Sequence, residues 1–218
     1  MKRRPSAVYA ILDTAIVRGR DPAGLAASAA RGGVTVIQVR AKDASTRAFL
    51  RLAEAVREGL SGTGVPIVIN DRVDIALAVR ADGVHVGRDD MDVATVRALL
   101  GPDRIIGATI KSASDVDELV VAGADYGCIG GVFATRHKDN PDPPVGLDGF
   151  RTLRQRVARD VPGLPTGAIA GIDASNAGAL AAAGADFVAV VGAVFDTDDV
   201  EAATRALLAA YQGGMRRS

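Results

Sequence analysis

The stretch GADFVAVVG, residues 184–192, carries the pattern that decides the fold. Glycine supplies the left-handed conformation that ends a helix, and the β-branched and aromatic run after it suits a strand. The same order of residues returns in ADGVHVG at 81–87, in GADYGCIG at 123–130 and, more loosely, in GGVTVIQ at 32–38. The recurring unit predicts strands that alternate with helices along the chain.

Reading outward from these copies gives eight short strands with helical segments between them. The strands are predicted at 8–12, 34–39, 66–69, 84–86, 105–108, 126–129, 166–170 and 187–191, and helices at 45–60, 93–100, 114–122 and 176–183, with Ser45 and Ser114 as N-caps. The strands are mostly apolar on both faces, as expected of a parallel sheet covered by helices. We therefore predict an α/β fold, a single-domain (β/α)8 TIM barrel over residues 1–218, with an open doubly wound sheet as the alternative.

Charge and composition restrict the partners of the chain. Lys and Arg total 26 and Asp and Glu total 26, so no net field attracts nucleic acid or an anionic membrane. Aromatic residues make up 4% of the chain, too few for a platform that stacks nucleic-acid bases. Cys128 is the only cysteine and the apolar run from Ala7 stops at Asp13, so we expect a cytoplasmic protein. A homo-oligomer is compatible with this composition.

Polar residues gather just past the C-terminal ends of the predicted strands, whereas the strand starts carry mostly Gly, Ala and Pro. The active sites of TIM barrels lie at the C-terminal end of the barrel. If the loops were simply polar, the two ends would look alike. The asymmetry therefore indicates a functional mouth at the C-terminal end.

Gln38, Arg40 and Lys42 have a period-two spacing at the end of the second predicted strand. Alternate side chains of an extended segment share a face, so all three are expected to point toward the barrel axis and its mouth. Two neighbouring cations repel each other, which costs free energy unless an anion binds between them. The spacing favours an anion site, and a solvated basic loop is the alternative.

Carboxylates follow the next two strands. Asn70 and Asp71 end the third strand, and Asp90 lies beyond the fourth. Two carboxylates from neighbouring strand ends can share Mg²⁺, which takes one or two carboxylates and completes its shell with water and phosphate oxygens. Because Asp also caps helices, a capping role for Asp71 is the alternative.

A long loop and two glycine-ended strands add features that suit phosphate. Residues 130–146 form the loop, which carries one hydroxyl and three successive basic side chains. These four residues are Thr135, Arg136, His137 and Lys138. Gly171 and Gly192 close the seventh and eighth strands, where backbone amides form the usual phosphate site of a barrel. A solvated linker and ordinary turns are the alternatives.

The two histidines fit neither a catalytic triad nor a zinc-binding spacing. His85 lies within the fourth strand, where a histidine is usually a satisfied core residue, and contact with substrate is the alternative. No acid/base pair facing across the mouth is evident. This counts against a phosphate-handling isomerase of the same fold, which fold alone does not exclude.

Taken together, these segments resemble the thiamine phosphate synthase family. The resemblance rests on QVRAK at 38–42, IND at 69–71, ADGVHVG at 81–87 with Asp90, and GADY at 123–126 leading to Thr135 and Lys138. The segments occur in order and span nearly the whole chain. The resemblance implies a transferase that joins an aminopyrimidine methyl diphosphate to a thiazole phosphate, giving thiamine phosphate and pyrophosphate with the help of Mg²⁺.

The resemblance also implies roles for individual residues. The pyrimidine diphosphate would be held by Gln38, Val39, Arg40, Ala41, Lys42, Asn70, Thr109 and Lys138, of which Arg40, Lys42 and Lys138 would be catalytic. The thiazole phosphate would be held by Thr135, Arg136, His137, Gly171, Val191 and Gly192. Mg²⁺ would bind Asp71 and Asp90, and His85 and Arg88 are candidate substrate contacts.

The chain departs from the family pattern mainly near the expected thiazole phosphate site. Arg88 stands where Gln is usual, His137 where Thr or Ser is usual, Ala170 where Gly is usual and Gly192 where Ser is usual. Arg88 or His137 could supply the missing contacts. Two alternatives stay open: a thiazole tautomerase-like enzyme, which uses no diphosphate leaving group, and a non-catalytic regulatory or ligand-binding barrel of the same family.

Overall fold

Eight parallel strands close into a barrel in the computed structural model, which describes residues 4–135 and 143–216, apart from the side chains of 118–122. The strands are Ala7–Asp13 (β1), Val36–Arg40 (β2), Ile67–Asn70 (β3), Gly83–Val86 (β4), Ile105–Ile110 (β5), Tyr126–Ile129 (β6), Thr166–Ile169 (β7) and Phe187–Val190 (β8). Each strand pairs with the next, and β8 pairs with β1. The predicted TIM barrel is confirmed, and the open doubly wound sheet is the wrong alternative.

Helices connect the strands and cover the outside of the barrel. They are Pro22–Gly32 (α1), Thr46–Gly59 (α2), Val73–Ala78 (α3), Val93–Leu100 (α4), Ala113–Ala122 (α5), Gly146–Asp160 (α6), Ala177–Ala182 (α7), Gly192–Phe195 (α8) and Val200–Met215 (α9). None of the helices within the described ranges has the length and apolar character needed to span a membrane.

The starts of α2 and α5 test the two predicted caps. Ser45 caps α2 as predicted, because its hydroxyl accepts the Ala48 N–H at 3.3 Å. Ser114 is wrong as a cap, because α5 starts earlier and its N-cap is Ser112. There the Asp115 carboxylate reaches back to accept the Ser112 N–H at 2.9 Å. A carboxylate within the first turn, rather than the second serine, therefore fixes the start of α5.

Alternate residues of each strand face two different cores. In β1, Val8 and Leu12 belong to the outer core between strands and helices, whereas Tyr9 and Ile11 belong to the inner core inside the barrel. This is the period-two alternation of a strand. It means that every second residue near a strand end faces the mouth of the barrel.

Three aromatic rings fill the inside of the barrel. The ring centroids of Tyr9, Tyr126 and Phe187 lie between 5.6 and 5.8 Å apart. Glycines on neighbouring strands make room for them: a Cβ at Gly107 would lie 2.0 Å from Tyr126 Cζ, and one at Gly167 would lie 2.3 Å from Phe187 Cε2. The three rings form a floor beneath the strand ends, and the space above it stays open.

Candidate active site

A cavity of about 710 Å³ lies above this floor and opens at the C-terminal ends of the strands. Its charged and polar lining residues are Asp13, Gln38, Arg40, Asn70, His85, Thr109, Lys111, Thr135, Asp173 and Asp196, and its lining backbone includes Gly130, Gly131, Gly171 and Gly192. Most of the residues singled out in the sequence that are described here thus surround one space. Arg136, His137 and Lys138 lie outside the described residues.

The β1–β2 corner of the mouth balances an arginine with a buried aspartate. Arg40 forms an ion pair through its Nη1 with Asp13, whose side chain is 6% exposed. One level deeper, the Gln38 amide donates to the Tyr9 hydroxyl at 2.8 Å. Val39 and Ala41 belong to the outer core, so only their backbone atoms can face a ligand. The structure therefore places Gln38 and Arg40 in the cavity lining, as the spacing predicted, whereas the third residue of that row, Lys42, is absent from the lining. Asp13 is an additional member of this corner, not predicted as a partner of Arg40.

Lys42, Asp71 and Asp90 form the neighbouring corner, at the ends of β2, β3 and β4. Lys42 Nζ lies 2.5 Å from Asp71 Oδ2. Asp90 Oδ2 accepts the Gly87 N–H at 2.8 Å, which holds that carboxylate at the end of β4. Asp71 does not cap α3, because Arg72 is the N-cap residue and makes no side-chain cap bond. The capping alternative for Asp71 is therefore wrong.

The two carboxyl groups are close enough to influence each other's ionisation. Burial is the largest effect on Asp71 and raises its pKa; the nearby Asp90 raises it further, while Lys42 opposes both. For Asp90 burial opposes ionisation, but the contacts with Asp71, the Gly87 N–H and Lys42 together lower its pKa. Crowded oxygen donors of this kind suit a hard divalent cation, whose shell of water and phosphate oxygens needs only one or two carboxylates. The described residues contain no group of three or more His, Cys, Asp or Glu that could hold a metal.

A chain of hydrogen bonds crosses the floor of the cavity. The Tyr9 and Tyr126 hydroxyls lie 2.9 Å apart, His85 Nδ1 lies 3.0 Å from the Tyr126 hydroxyl, and His85 Nε2 lies 3.0 Å from Thr109 Oγ1. Burial raises the pKa of both phenols well above their ordinary value, so both stay neutral. His85 is thus a satisfied histidine that also lines the cavity. The two interpretations of His85 from the sequence turn out to be compatible.

Arg88 faces away from the cavity and toward the start of α5. Its Nε and Nη2 donate to the two Asp115 oxygens at 3.0 and 2.8 Å. Asp115 also accepts the Lys111 N–H at 2.6 Å. Burial is the largest single effect on Asp115 and opposes its ionisation. The hydrogen bonds from Arg88 and from the N–H groups of Lys111 and Ser112 together outweigh burial and lower the pKa of Asp115. Arg88 is absent from the cavity lining, so a direct contact with substrate finds no support in its position.

Lys111 lines the cavity and was missed in the sequence. The signal was present, because Lys111 follows Thr109 by two positions and so continues the inward-facing row of β5. The same period-two spacing places Tyr9, Ile11 and Asp13 on one face of β1, with Tyr9 farthest from the C-terminal end of the strand. At the end of β5, only Thr109 was predicted to be a site residue.

Close backbone packing shapes the β6–β8 side of the mouth, which Thr135, Asp173 and Asp196 also line. Gly171 has φ +64°, and a Cβ there would lie 2.3 Å from the Ala134 carbonyl oxygen. Ala170 also has a positive φ, +94°, although it is not glycine. Phe133 N–H donates to the Ala170 carbonyl at 3.1 Å, which ties the start of the long loop to the end of β7. Val191 and Gly192 border the same space at the end of β8.

Comparisons with known proteins agree with this geometry. Residues 8–194 match the family model described as thiamine monophosphate synthase. The thiamine-phosphate synthase of Agrobacterium fabrum is 50% identical over 88% of this chain and 87% of its own length, and that of Chloroflexus aurantiacus is 45% identical over 93% and 91%. The structure of a thiamine phosphate pyrophosphorylase from Pyrococcus furiosus superposes with a TM-score of 0.84 at 32% identity and covers 98% of both chains.

Proposed function

The chain belongs to the thiamine monophosphate synthase family, and we propose that it joins 4-amino-2-methyl-5-(diphosphooxymethyl)pyrimidine to thiazole phosphate, forming thiamine phosphate and releasing pyrophosphate. Membership makes it a transferase of thiamine biosynthesis that unites a pyrimidine and a thiazole. The observation that supports the finer proposal is the pair of neighbouring corners, one with Arg40 and Asp13 and the other with Lys42, Asp71 and Asp90.

The diphosphate would lie over the β2–β5 side of the cavity. Arg40 would supply positive charge there and Asn70 and Thr109 polar contacts, and Lys42 would reach the diphosphate from its position beside Asp71. Lys138 would add a further cation from the loop after β6. The departing pyrophosphate is a polyanion, so preorganised donors and cations lower the barrier by stabilising charge on its oxygens.

The proposed substitution is dissociative and needs no strong base. The aminopyrimidine ring can stabilise the carbon cation left when the diphosphate departs, and the attacking thiazole nitrogen is neutral and carries no proton to remove. The residues of the floor fit this chemistry. Tyr9 and Tyr126 remain neutral, and His85 is engaged on both ring nitrogens. Gln38, held by the Tyr9 hydroxyl, is placed to orient the ring.

Asp71 and Asp90 would hold Mg²⁺. Their oxygens are hard donors from adjacent strand ends, and burial together with the neighbouring Asp90 raises the pKa of Asp71 despite its contact with Lys42. When bound, the metal would neutralise charge on the diphosphate oxygens. The protein itself contributes the fixed position of Asp90, held by the Gly87 N–H, and the ion pair that orients Lys42.

The second substrate would bind on the β6–β8 side. Thr135, Gly171, Val191 and Gly192 border that space, and Arg136 and His137 would supply cations from the loop. Two phosphorylated groups then lie on opposite sides of one cavity, with the floor beneath both. This arrangement would bring the pyrimidine and thiazole rings of the substrates together above Tyr126 and Phe187.

The decisive experiment is incubation of the purified protein with both phosphorylated precursors, with and without Mg²⁺. Pyrophosphate and thiamine phosphate are expected to appear in equal amounts and only with the metal. A reaction of the thiazole precursor alone, without pyrophosphate release, would instead establish the tautomerase alternative. Binding of both precursors without any product would establish a non-catalytic barrel. Asp90→Asn serves as the matched variant, and its Mg²⁺ requirement is expected to shift to higher concentration.

A further inference from the structure

Lys111 brings a cation to the cavity that the described carboxylates do not neutralise. The other cation of the described lining, Arg40, is paired with Asp13. Asp173, also in the lining, accepts hydrogen bonds from the Ser175 hydroxyl and N–H. Within residues 4–135 and 143–216, no ion pair joins a carboxylate to the Lys111 ammonium. An anionic ligand that reaches Lys111 would therefore meet an ammonium group with which no described carboxylate forms an ion pair, although Asp173 and Asp196 also line the cavity.

The position of Lys111 places that charge on the diphosphate side. Lys111 follows Thr109 on the inward face of β5, and Thr109 Oγ1 is tied to His85 Nε2 at 3.0 Å. Lys111 Cγ lies beside Gly130 at the end of β6, because a Cβ on Gly130 would lie 3.8 Å from it. Strand β5 pairs with β4, whose following loop carries Asp90, and is separated by β6 from Gly171 beyond β7.

The backbone of Lys111 is held by a two-residue clamp formed by Arg88 and Asp115. One Asp115 oxygen accepts the N–H groups of Lys111 and Ser112 at 2.6 and 2.9 Å. Arg88, from the loop after β4, binds both oxygens of the same carboxylate. Asp115 is buried, whereas the Arg88 side chain is half exposed. The clamp joins the loops after β4 and β5 and fixes the point from which the Lys111 side chain leaves the strand.

We propose that Lys111 is an additional catalytic residue that binds the diphosphate leaving group, and that Arg88 and Asp115 are positioning residues that act through it. The inference rests on the proposed function, because it assumes a diphosphate at the β2–β5 side. It gives Arg88 a role different from the substrate contact expected from the sequence.

The test compares Lys111→Ala, Lys111→Arg and a control that removes one positive charge at the far end of the barrel, Arg57→Ala. Arg57 is exposed on α2 and borders a cleft at the N-terminal ends of the strands. We expect Lys111→Ala to lower kcat/KM for the pyrimidine diphosphate about 10- to 100-fold, because one charged donor to the leaving group is lost. The KM for thiazole phosphate should stay constant, Lys111→Arg should keep most of the activity, and Arg57→Ala should behave as wild type.

Two results would overturn the assignment of Lys111. One is a Lys111→Ala enzyme with the kinetics of Arg57→Ala, and the other is a selective rise in the KM for thiazole phosphate. Calorimetric titration with inorganic pyrophosphate and Mg²⁺ separates this inference from the proposed function. Equal pyrophosphate affinity in wild type and Lys111→Ala removes Lys111 from the site even if no thiamine phosphate is made, whereas weaker binding in the variant supports it.

The clamp is tested by a double-mutant cycle, with Asp115→Asn made in the wild-type and in the Lys111→Ala background. If Asp115 acts through Lys111, Asp115→Asn raises the KM for the pyrimidine diphosphate in wild type and adds nothing once Lys111 is gone. Additive losses in the double variant would mean that Asp115 serves only the stability of α5. Thermal unfolding of each variant shows whether a kinetic loss reflects a loss of folded protein.

Discussion

The β2–β5 side and the β6–β8 side of the mouth are built by different means. On the first side, charged side chains are held in place by partners: Arg40 by Asp13, Lys42 by Asp71, and Asp90 by the Gly87 N–H. On the second side, the backbone of Gly171, Val191 and Gly192 lines the space together with the side chains of Thr135, Asp173 and Asp196. Gly171 there approaches the Ala134 carbonyl more closely than any side chain allows.

Under the proposed function, the two sides would bind their phosphates in different ways. A cationic side chain held by a carboxylate can exchange that partner for a polyanion. Such side chains suit a diphosphate, whose oxygens gain negative charge as it leaves. Backbone amides supply a fixed shape and partial charge, which suits a phosphate that only anchors its substrate. We therefore expect substitutions on the first side to affect turnover and those on the second to affect the KM for thiazole phosphate.

Arg40→Ala is the strongest test of the first side. Turnover is expected to fall by about two orders of magnitude, since one donor to developing charge is worth about 3–4 kcal/mol. The change also leaves Asp13 buried without its partner, which should lower the free energy of unfolding by about 3 kcal/mol. Steady-state kinetics and denaturant unfolding measure the two effects separately.

The double variant Asp13→Asn with Arg40→Ala is the matched control. Removing both charges should restore most of the stability and none of the turnover. If activity returned with stability, Arg40 would be a structural partner of Asp13 and the proposed charge cluster would lose a member. Lys138→Ala examines the same idea from the loop, with an expected loss of about two orders of magnitude in turnover and little change in unfolding.

Gly171→Ala is the corresponding test of the second side. Its φ of +64° disfavours any side chain, and the added Cβ would lie 2.3 Å from a carbonyl oxygen. We expect a loss of about 2–3 kcal/mol in the free energy of unfolding and a raised KM for thiazole phosphate. The KM for the pyrimidine diphosphate should hardly move. Equal changes in the two KM values would show that the two sides are not separate sites.

The sequence predicted the barrel because its signals are local and repeated. The Gly-Ala-Asp turns at 123–125 and 184–186 and the apolar runs after them mark their own boundaries, and eight alternating strands and helices leave few ways to close the sheet. The side-chain corner was also predictable, because period-two spacing places Gln38 and Arg40 on one face of β2. What the spacing could not give was the partner of each charge, since Asp13 lies on another strand.

The backbone side was harder to predict for a physical reason. A glycine in the sequence does not say whether it adopts a positive φ or merely ends a strand, and Ala170 gives no sign of its left-handed conformation. Arg88 shows the complementary difficulty. A cation near a predicted phosphate site suggests a ligand contact, but Arg88 instead pairs with the largely buried Asp115 through two hydrogen bonds.

Tyr126→Phe tests whether the floor is independent of the two sides above it. The ring and its packing stay, but the hydroxyl that meets Tyr9 and His85 is lost. Removing one partner from a buried hydrogen-bonded chain is expected to cost about 1–2 kcal/mol of stability. The KM for thiazole phosphate should stay near the wild-type value. A loss of affinity for thiazole phosphate that matched the one in Gly171→Ala would mean that the floor, and not the backbone loops, positions that substrate.

Ala170→Gly is the smallest expected change and sharpens the comparison most. Alanine at φ +94° is strained by about 1–2 kcal/mol relative to a right-handed conformation, and glycine removes that strain. Glycine has more conformational freedom than alanine in the unfolded chain, which stabilises the unfolded state by about 0.5–1 kcal/mol. The net stabilisation of the folded protein should therefore be about 0.5–1 kcal/mol. Because the Phe133 N–H donates to the carbonyl of residue 170, relief of this strain should leave that bond in place. Turnover and the KM for the pyrimidine diphosphate should then be unchanged, while thermal unfolding shifts upward. A destabilised Ala170→Gly would mean that the alanine methyl contributes packing worth more than the strain, and the β6–β8 side would then depend on side chains after all.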